Sequence, residues 1–474
     1  MKLPATKTLL ATLGDEKVER AVDFLLTKRD LLRRFVDVED FIFHVDDAPD
    51  SYKGIEPNFV AVRQAVAKQL WGRGIYIGIT VLDSMIFQSV VHSGRSNPVR
   101  NMLENLRDLG LHRPGLVLFP LHSLGVIAGG LYKWAHGGQA MFQVPDFGIV
   151  LTPQTNRFET TLQFLDQGAK FLGIEHKPPR DLVEHWRRSR PTEWLEKNPL
   201  MLARMSTFPG SYYENQPFLV TRLRLGTGLI VLAGALQLDA IAPPDRRGYL
   251  GSSSRLNNFQ TLNIRHYFVF WPKAGTTKKM QGDCVPMNAR PLALAELSEL
   301  SVELDPRHWR KRTNQLKLVG KAMDYIGKLI NTEVLFKKKL NAHGRVARKL
   351  VNSLNFFKRA HRGSSDESEE VINLAIALEV LLTDNYSQGV MNTLKERLEV
   401  GLAHLPAALR KRCIDGVVDT YDARSGFVHS GSADTTPDVA AARRAYAEAM
   451  LFVTARLPKV STGAAQPMIE VFGK

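Results

Sequence analysis

Cysteine is almost absent from this chain: 474 residues carry only Cys284 and Cys413, far apart in sequence. A disulfide scaffold is excluded, and two free thiols suit a reducing compartment. No Cys/His group has zinc-ligand spacing, and neither a metal nor a cofactor is expected. The segment Asp46, Asp47 and Asp50 has ordinary loop composition. His112 and His122 flank a strand-like run without further ligands, and His136-Gly137-Gly138 has no Gly-x-Ser-x-Gly elbow to serve. Walker A and Gly-x-Gly-x-x-Gly sequences are missing as well, which argues against nucleotide hydrolysis and dinucleotide binding. No secretory segment fits between Met1 and the charged Asp15-Glu16-Lys17. The longest uncharged apolar run, Pro114 to Tyr132, is broken by Pro120, His122 and four glycines. A membrane helix needs about 20 apolar residues, so this run is expected to be buried core. The expected location is cytoplasmic, without membrane association.

Acidic residues are scarce in one place. Lys and Arg number 63 against 48 Asp and Glu, a net charge of +15, while 44% hydrophobic content is ordinary for a globular protein. Between Pro306 and Ala360 fifteen Lys and Arg face only Asp324 and Glu333. Such a segment suits a phosphate backbone, because each neutralised phosphate releases counterions. Lys337, Lys338, Lys339, Arg345, Arg348 and Lys349 are its expected RNA contacts. The alternative is a solvated helix face balanced elsewhere, in part by the acidic run His361 to Glu370.

Periodicity divides the chain. Helices are expected over 15–36, 57–70, 157–173 and 179–188. Strands are expected at Leu116–Phe119, Phe218–Val220, Leu229–Leu232 and Ile264–Trp271, with loops over 242–258 and 273–290. Past 306 strand signals stop, and helical patterns follow at 310–340, 344–360, 368–384, 391–403, 406–425 and 437–456. The fold class is therefore α+β: a mixed region over 1–300, an all-helical domain over 306–460, and a tail from 461 to 474.

The helical region holds the most specific pattern. Val371 to Asp384 reads VINLAIALEVLLTD with Glu379 as its interior acid, Leu394 to Leu402 reads LKERLEVGL, and Val417 to Gly431 reads VVDTYDARSGFVHSG. Arg-x4-His occurs three times, as Arg107/His112, Arg180/His185 and Arg424/His429, so spacing alone does not discriminate. Only the last has Tyr421, Ser425, Val428 and Gly431 around it, downstream of the Glu379 helix. In that context residues 310–456 resemble the Apea-like branch of the HEPN superfamily, a set of helical bundles. Ser430 between His429 and Gly431 departs from the His-Gly of many relatives.

The resemblance implies a metal-independent endoribonuclease of defence or toxin type, in which two bundles pair as a homodimer and their Arg-His motifs share a cleft. Arg424 and His429 would be catalytic, with Tyr421, Ser425 and Glu379 supporting. The side chains suit the chemistry: histidine exchanges protons near neutrality, and arginine's fork binds two phosphate oxygens. On a regular helix Tyr421 and Arg424 share a face, whereas His429 points about 140° from Arg424. Either Gly426 or the helix end redirects His429, or a second chain completes the site. Other roles stay open: Arg424 capping carbonyls, His429 in a core, Glu379 paired for stability, or the whole bundle as a non-catalytic RNA-binding or assembly module. A nuclease of this type needs a gate, and the first 300 residues are expected to supply it in response to a trigger the sequence does not name.

Overall fold

The computed structural model describes residues 15–44, 50–92, 97–108, 113–126, 141–144, 146–153, 155, 157–174, 177–188, 194–206, 212–241, 266–272, 280–288, 297, 299–304, 309, 312–335, 337, 339–361, 367–384, 389–433 and 436–473. It confirms an α+β protein. The first region begins with α1 (Glu16–Thr27), α2 (Val38–His44), α3 (Ile55–Trp71), α4 (Ile79–His92) and α5 (Pro98–Asp108). Asp15 starts α1 by accepting a hydrogen bond from Lys17 N at 3.0 Å. Val18, Ala21, Val22 and Leu25 form its buried stripe, at the spacing expected of it.

Next come β1 (Pro114–Pro120), β2 (His122–Val126), β3 (Phe142–Val144), β4 (Ile149–Thr152), α6 (Phe158–Phe171), α7 (Arg180–Arg187), β5 (Leu200–Ser206), α8 (Tyr212–Ile241), β6 (His266–Pro272), β7 (Met280–Pro286) and β8 (Glu299–Leu304). Six strands make a sheet of order β3-β4-β5-β1-β6-β7 with antiparallel pairing, and β2 pairs with β8 in parallel. Val117 lies opposite Ala203 on one side and Val269 on the other. Leu116, Leu118, Leu202, Phe268 and Phe270 face a smaller core with α6, α7 and Trp194. Val117, Phe119, Met201, Ala203 and Val269 face the main core. With both faces covered, the central strands read as continuous apolar runs instead of alternating ones.

The expected strands at Phe218–Val220 and Leu229–Leu232 are not strands. Both lie within the 30-residue helix α8, whose side chains from Phe218 to Leu236 are nearly all buried. A helix buried on all sides has no polar stripe, so short apolar runs in it mimic buried strands. Its glycines mark close approaches. A Cβ at Gly226 would sit 2.6 Å from Met201 Sδ of the sheet, and one at Gly228 would sit 2.2 Å from Leu354 Cδ2 of the helical region. Two positions apart on a helix point in nearly opposite directions, so α8 touches both bodies at one level. The stretch Gln216–Gln237 is long and apolar enough to cross a membrane, yet 72% of its key window is buried inside the protein. That arrangement is compatible with a soluble protein. The expected loop over 242–258 lies outside the described residues, and part of 273–290 is the strand β7.

The helical region comprises α9 (Thr313–Leu329), which runs into a π-turn at Ile330–Val334, then α10 (Ala342–Arg359), α11 (Glu367–Leu382), α12 (Val390–Gly401), α13 (Ala407–Ser430), α14 (Val439–Arg456) and α15 (Pro467–Phe472). No strand follows residue 304 among the described residues, as the periodicity predicts. The segment expected to be a tail is packed: α15 buries Met468 and Val471, and Met468 N donates to Asp384 Oδ1 at 2.9 Å. The main core runs without a break from Val18 to Phe472, across the expected boundary near 300.

Polar contacts fix α8 against the helical region. Lys358 Nζ donates to Thr227 Oγ1 at 3.1 Å, Trp309 Nε1 donates to Gln237 Oε1 at 3.1 Å, and Arg312 and Arg444 both donate to the Leu236 carbonyl. Arg444 also pairs with Glu448 at 2.6 Å, with side chains only 8% and 6% exposed. Glu448→Ala therefore leaves a buried guanidinium without its carboxylate and should cost about 3–5 kcal/mol in urea unfolding. Arg444→Met combined with Glu448→Leu should cost less, because neither charge remains.

His361 closes α10 as a buried neutral imidazole. Its Nδ1 lies 2.7 Å from the Phe357 carbonyl. Burial pulls its pKa well below the usual histidine value, the Arg443 charge adds to this, and the Phe357 hydrogen bond opposes it. The unfolded chain thus takes up a proton first. Stability from this group is intact above about pH 6.5 and falls as the pH drops below it. His361→Gln should flatten that acid limb in midpoint measurements between about pH 7 and pH 5.

Candidate functional site

α13 carries the Arg-x4-His pair. It is a single 24-residue helix that continues through Ser430 and ends at Gly431, whose φ of +74° is the left-handed cap that glycine favours. Gly426 does not bend it. Ser432 and Ala433 instead fold back over the helix so closely that a Cβ at 426 would lie 2.6 Å from the Ser432 carbonyl oxygen. Ser430 Oγ donates to the Gly426 carbonyl at 2.8 Å and fastens this last turn. Redirection of His429 by Gly426 or by the helix end is thereby excluded. Within one chain the two side chains leave the helix about 140° apart and about 7.5 Å apart along its axis.

Between those directions lies one arc of the helix surface. By helical rotation Val428, Tyr421 and Ser425 fall inside it, with Arg424 at one edge and His429 at the other. Ser425, Val428 and His429 are exposed, Val428 to 55%, an unusual degree for an aliphatic side chain here. Arg424 is half-buried, its guanidinium 5.4 Å from the centre of the half-buried Tyr421 ring, and its Nε has no hydrogen-bond partner. Neither Arg424 nor His429 forms an ion pair with a described residue. Glu379 on α11 is half-buried and makes no hydrogen bond or ion pair with either of them; its carbonyl accepts from Thr383 Oγ1 at 2.8 Å, and no described residue pairs with its carboxylate. Sequence reasoning noted Val428 beside the pair but not its exposure, because exposure of a single aliphatic residue leaves no pattern.

The expected RNA contacts separate on folding. Lys337 Nζ bonds Glu333 at 2.7 Å, and Lys68 joins the same carboxylate at 3.2 Å. Arg345 is exposed but donates to the Ala464 carbonyl of the packed C-terminal segment. Lys339 and Arg348 are exposed, and Lys338 lies outside the described residues. The stripe Lys317, Lys321 and Lys328 on α9 is also exposed, with Lys328 paired to Asp324 at 2.8 Å. Lys358, at the far end of the basic segment, is buried against α8. The excess charge is thus partly structural.

Of the other Arg-x4-His matches, Arg180 is ion-paired with Glu159 and His112 lies outside the described residues. Asp46, Asp47 and His136 lie outside them too. No group of three or more His, Cys, Asp or Glu able to hold a metal occurs among the described residues. Burial and the neighbouring Asp283 push the Cys284 thiol up to about 12, far from a nucleophilic thiolate.

Lys349 is directed inward. Its Nζ has no hydrogen-bond partner, and burial lowers its pKa to about 8, with Arg397 adding to the shift and Asp384 opposing it. The folded amine loses its proton before the unfolded one, so stability rises with pH between about 8 and about 10.4. Lys349→Met should stabilise the protein at pH 7, and its advantage should shrink by about pH 10, read from denaturation midpoints.

Compared with known proteins, the chain matches no family model, no curated protein and no solved structure.

Proposed function

We propose that the protein is a metal-independent endoribonuclease whose active site forms when the exposed arcs of two α13 helices meet. One observation carries this reading. Arg424 and His429 border an exposed surface centred on Val428, on a helix too regular for one chain to bring them together. If the Arg424 of one copy meets the His429 of the other across Val428, a two-fold interface repeats that contact at the second pair. HEPN resemblance points to the same pairing.

The reaction needs two proton transfers and a positive charge. One His429 takes the proton of the RNA 2′-hydroxyl as its oxygen bonds to phosphorus. The other gives a proton to the departing 5′-oxygen as the phosphorus–oxygen bond breaks. Arg424 neutralises the crowded phosphate, leaving a 2′,3′-cyclic phosphate and a 5′-hydroxyl. Exposed Lys317, Lys321, Lys339 and Arg348 supply electrostatic attraction for RNA. The reading includes a cytoplasmic site of action, in growth arrest or defence against phage, under control of the first 300 residues. A non-catalytic RNA-binding or assembly module is the rival, favoured by the absence of a hydrogen bond or ion pair from Glu379 to the pair.

Because α8 fills the interior of the helical region, deleting residues 1–300 would expose its core, so the test uses the full chain. Purified protein in EDTA should cut a mixed RNA panel to 2′,3′-cyclic ends. Arg424→Ala and His429→Ala should each cut at least about 100-fold more slowly. An equal mixture of the two variants should stay as slow as the variants themselves, since a mixed dimer keeps one His429 where the reaction uses two. Equal cutting by all three proteins discards the site. Absent cutting with intact RNA binding supports the rival module.

A further inference from the structure

A positively charged surface crosses from the helical region onto the first one. On α9, Lys317, Lys321 and Lys328 are exposed. By helical rotation and rise they lie within about 40° of one another over about 17 Å of the axis. The stripe does not stop where α9 does. Thr332, in the π-turn that follows, donates from its Oγ1 to the Lys328 carbonyl at 2.9 Å, and a Cβ at Gly72 would lie 3.5 Å from its Cγ2. Gly72 directly follows α3, so the exposed Lys68, one turn earlier, and the exposed Arg73, next in sequence, extend the stripe onto the first region. Glu333 of the same π-turn is turned inward, its side chain 10% exposed, and holds Lys68 at 3.2 Å and Lys337 at 2.7 Å.

Cations outnumber acids along this path. Lys317, Lys321 and Arg73 form no ion pair with a described residue. Asp324 is divided between Lys328 and the inner Arg222, and Glu333 between Lys68 and Lys337. The exposed Asp146 borders the start of the path, with its Cβ 3.4 Å from where one at Gly320 would stand. The kind of partner follows from what this face lacks. Protein interfaces are depleted of lysine and favour aromatic side chains and arginine. A helix lying on a membrane gives lipid a broad apolar face, but α9 uses Leu316, Val319, Met323 and Ile326 in the core and exposes Leu318 alone of its large aliphatic side chains. A phosphate backbone asks only for spaced cations on flexible stems, because released counterions supply the gain. α9 packs mainly on α8, α10 and α14, whereas α13 packs mainly on α11, α12 and α14, so the path is separate from the Arg424–His429 arc. We infer that the surface from Lys317 to Arg73 binds the phosphate backbone of RNA without regard to sequence and holds it across both regions. The inference rests on the choice of RNA as ligand in the proposed function, and not on its cleavage chemistry.

Binding of a 2′-O-methyl oligouridylate, which lacks the hydroxyl that cleavage uses, is measured on the full chain over a series of chloride concentrations. Wild type should bind saturably, with log affinity falling linearly against log salt. Arg73→Gln and Lys321→Gln, one in each region, should each bind more weakly and make that slope shallower by about 0.7. Both side chains are exposed, so neither change empties a core position. Lys177→Gln, 78% exposed near the end of α6, should match wild type. Asp146→Asn should bind more tightly, a gain that unfolding does not imitate. Absence of saturable binding, an Arg73→Gln slope equal to that of wild type, or capture on anionic phospholipid vesicles without binding of the oligonucleotide would overturn the surface. The expected binding pattern with unmodified RNA left uncut supports it and rejects the nuclease reading alone.

Discussion

A helix whose side chains from Phe218 to Leu236 are nearly all buried must be covered along that stretch, and α8 imposes that requirement on everything around it. The sheet covers it through Met201 at Gly226, α10 covers it through Leu354 at Gly228, and β8 covers it through Val302 at Gly234. Each buried Leu, Ile or Val on such a helix is worth roughly 1.5–3 kcal/mol relative to exposure. Polar groups at its far end are satisfied from the helical region, where Arg312 and Arg444 converge on the Leu236 carbonyl. The sheet and the helices thus share one interior, because neither alone encloses α8.

This shared interior constrains any regulation of the C-terminal helices by the first region. A detachable cap is incompatible with a helix that supplies the core of both. The Leu236–Arg444–Glu448 contacts join α8 to α14, and Glu448 in turn meets His404, just before α13 begins, at 3.2 Å. A shift of α8 along its axis would therefore disturb the helix that carries Arg424 and His429 without any domain coming apart.

Much of the fold was legible in the sequence where each helix has one wet face. The stripe of α1 and the six C-terminal helical patterns are cases in which solvent writes a period of 3.6 into the sequence. Legibility failed where solvent is absent. α8 looked like separate strands because Phe218–Val220 and Leu229–Leu232 lack a polar side, and its glycines answer to neighbours distant in sequence. The basic segment misled for a related reason. Sequence counts charges but not their partners, and Lys337, Lys349 and Lys358 turn out to be paired or buried.

At the Arg-His motif one small departure decides the geometry. Ser430 separates His429 from Gly431, so the left-handed cap falls one residue later than a direct His-Gly ending would place it. His429 then lies inside the last helical turn, and Ser430 Oγ closes that turn on the Gly426 carbonyl. The returning Ser432 backbone, admitted by the missing side chain at 426, occupies the side of the helix that faces away from the Arg424–His429 arc. These contacts leave Ser425, Val428 and His429 exposed on an unbroken helix. A pair held this firmly apart cannot close on a phosphate within one chain, whereas rigidity favours two chains meeting, because little conformational freedom is lost when they do. The same contacts that separate Arg424 from His429 in one copy therefore suit them to meet across two.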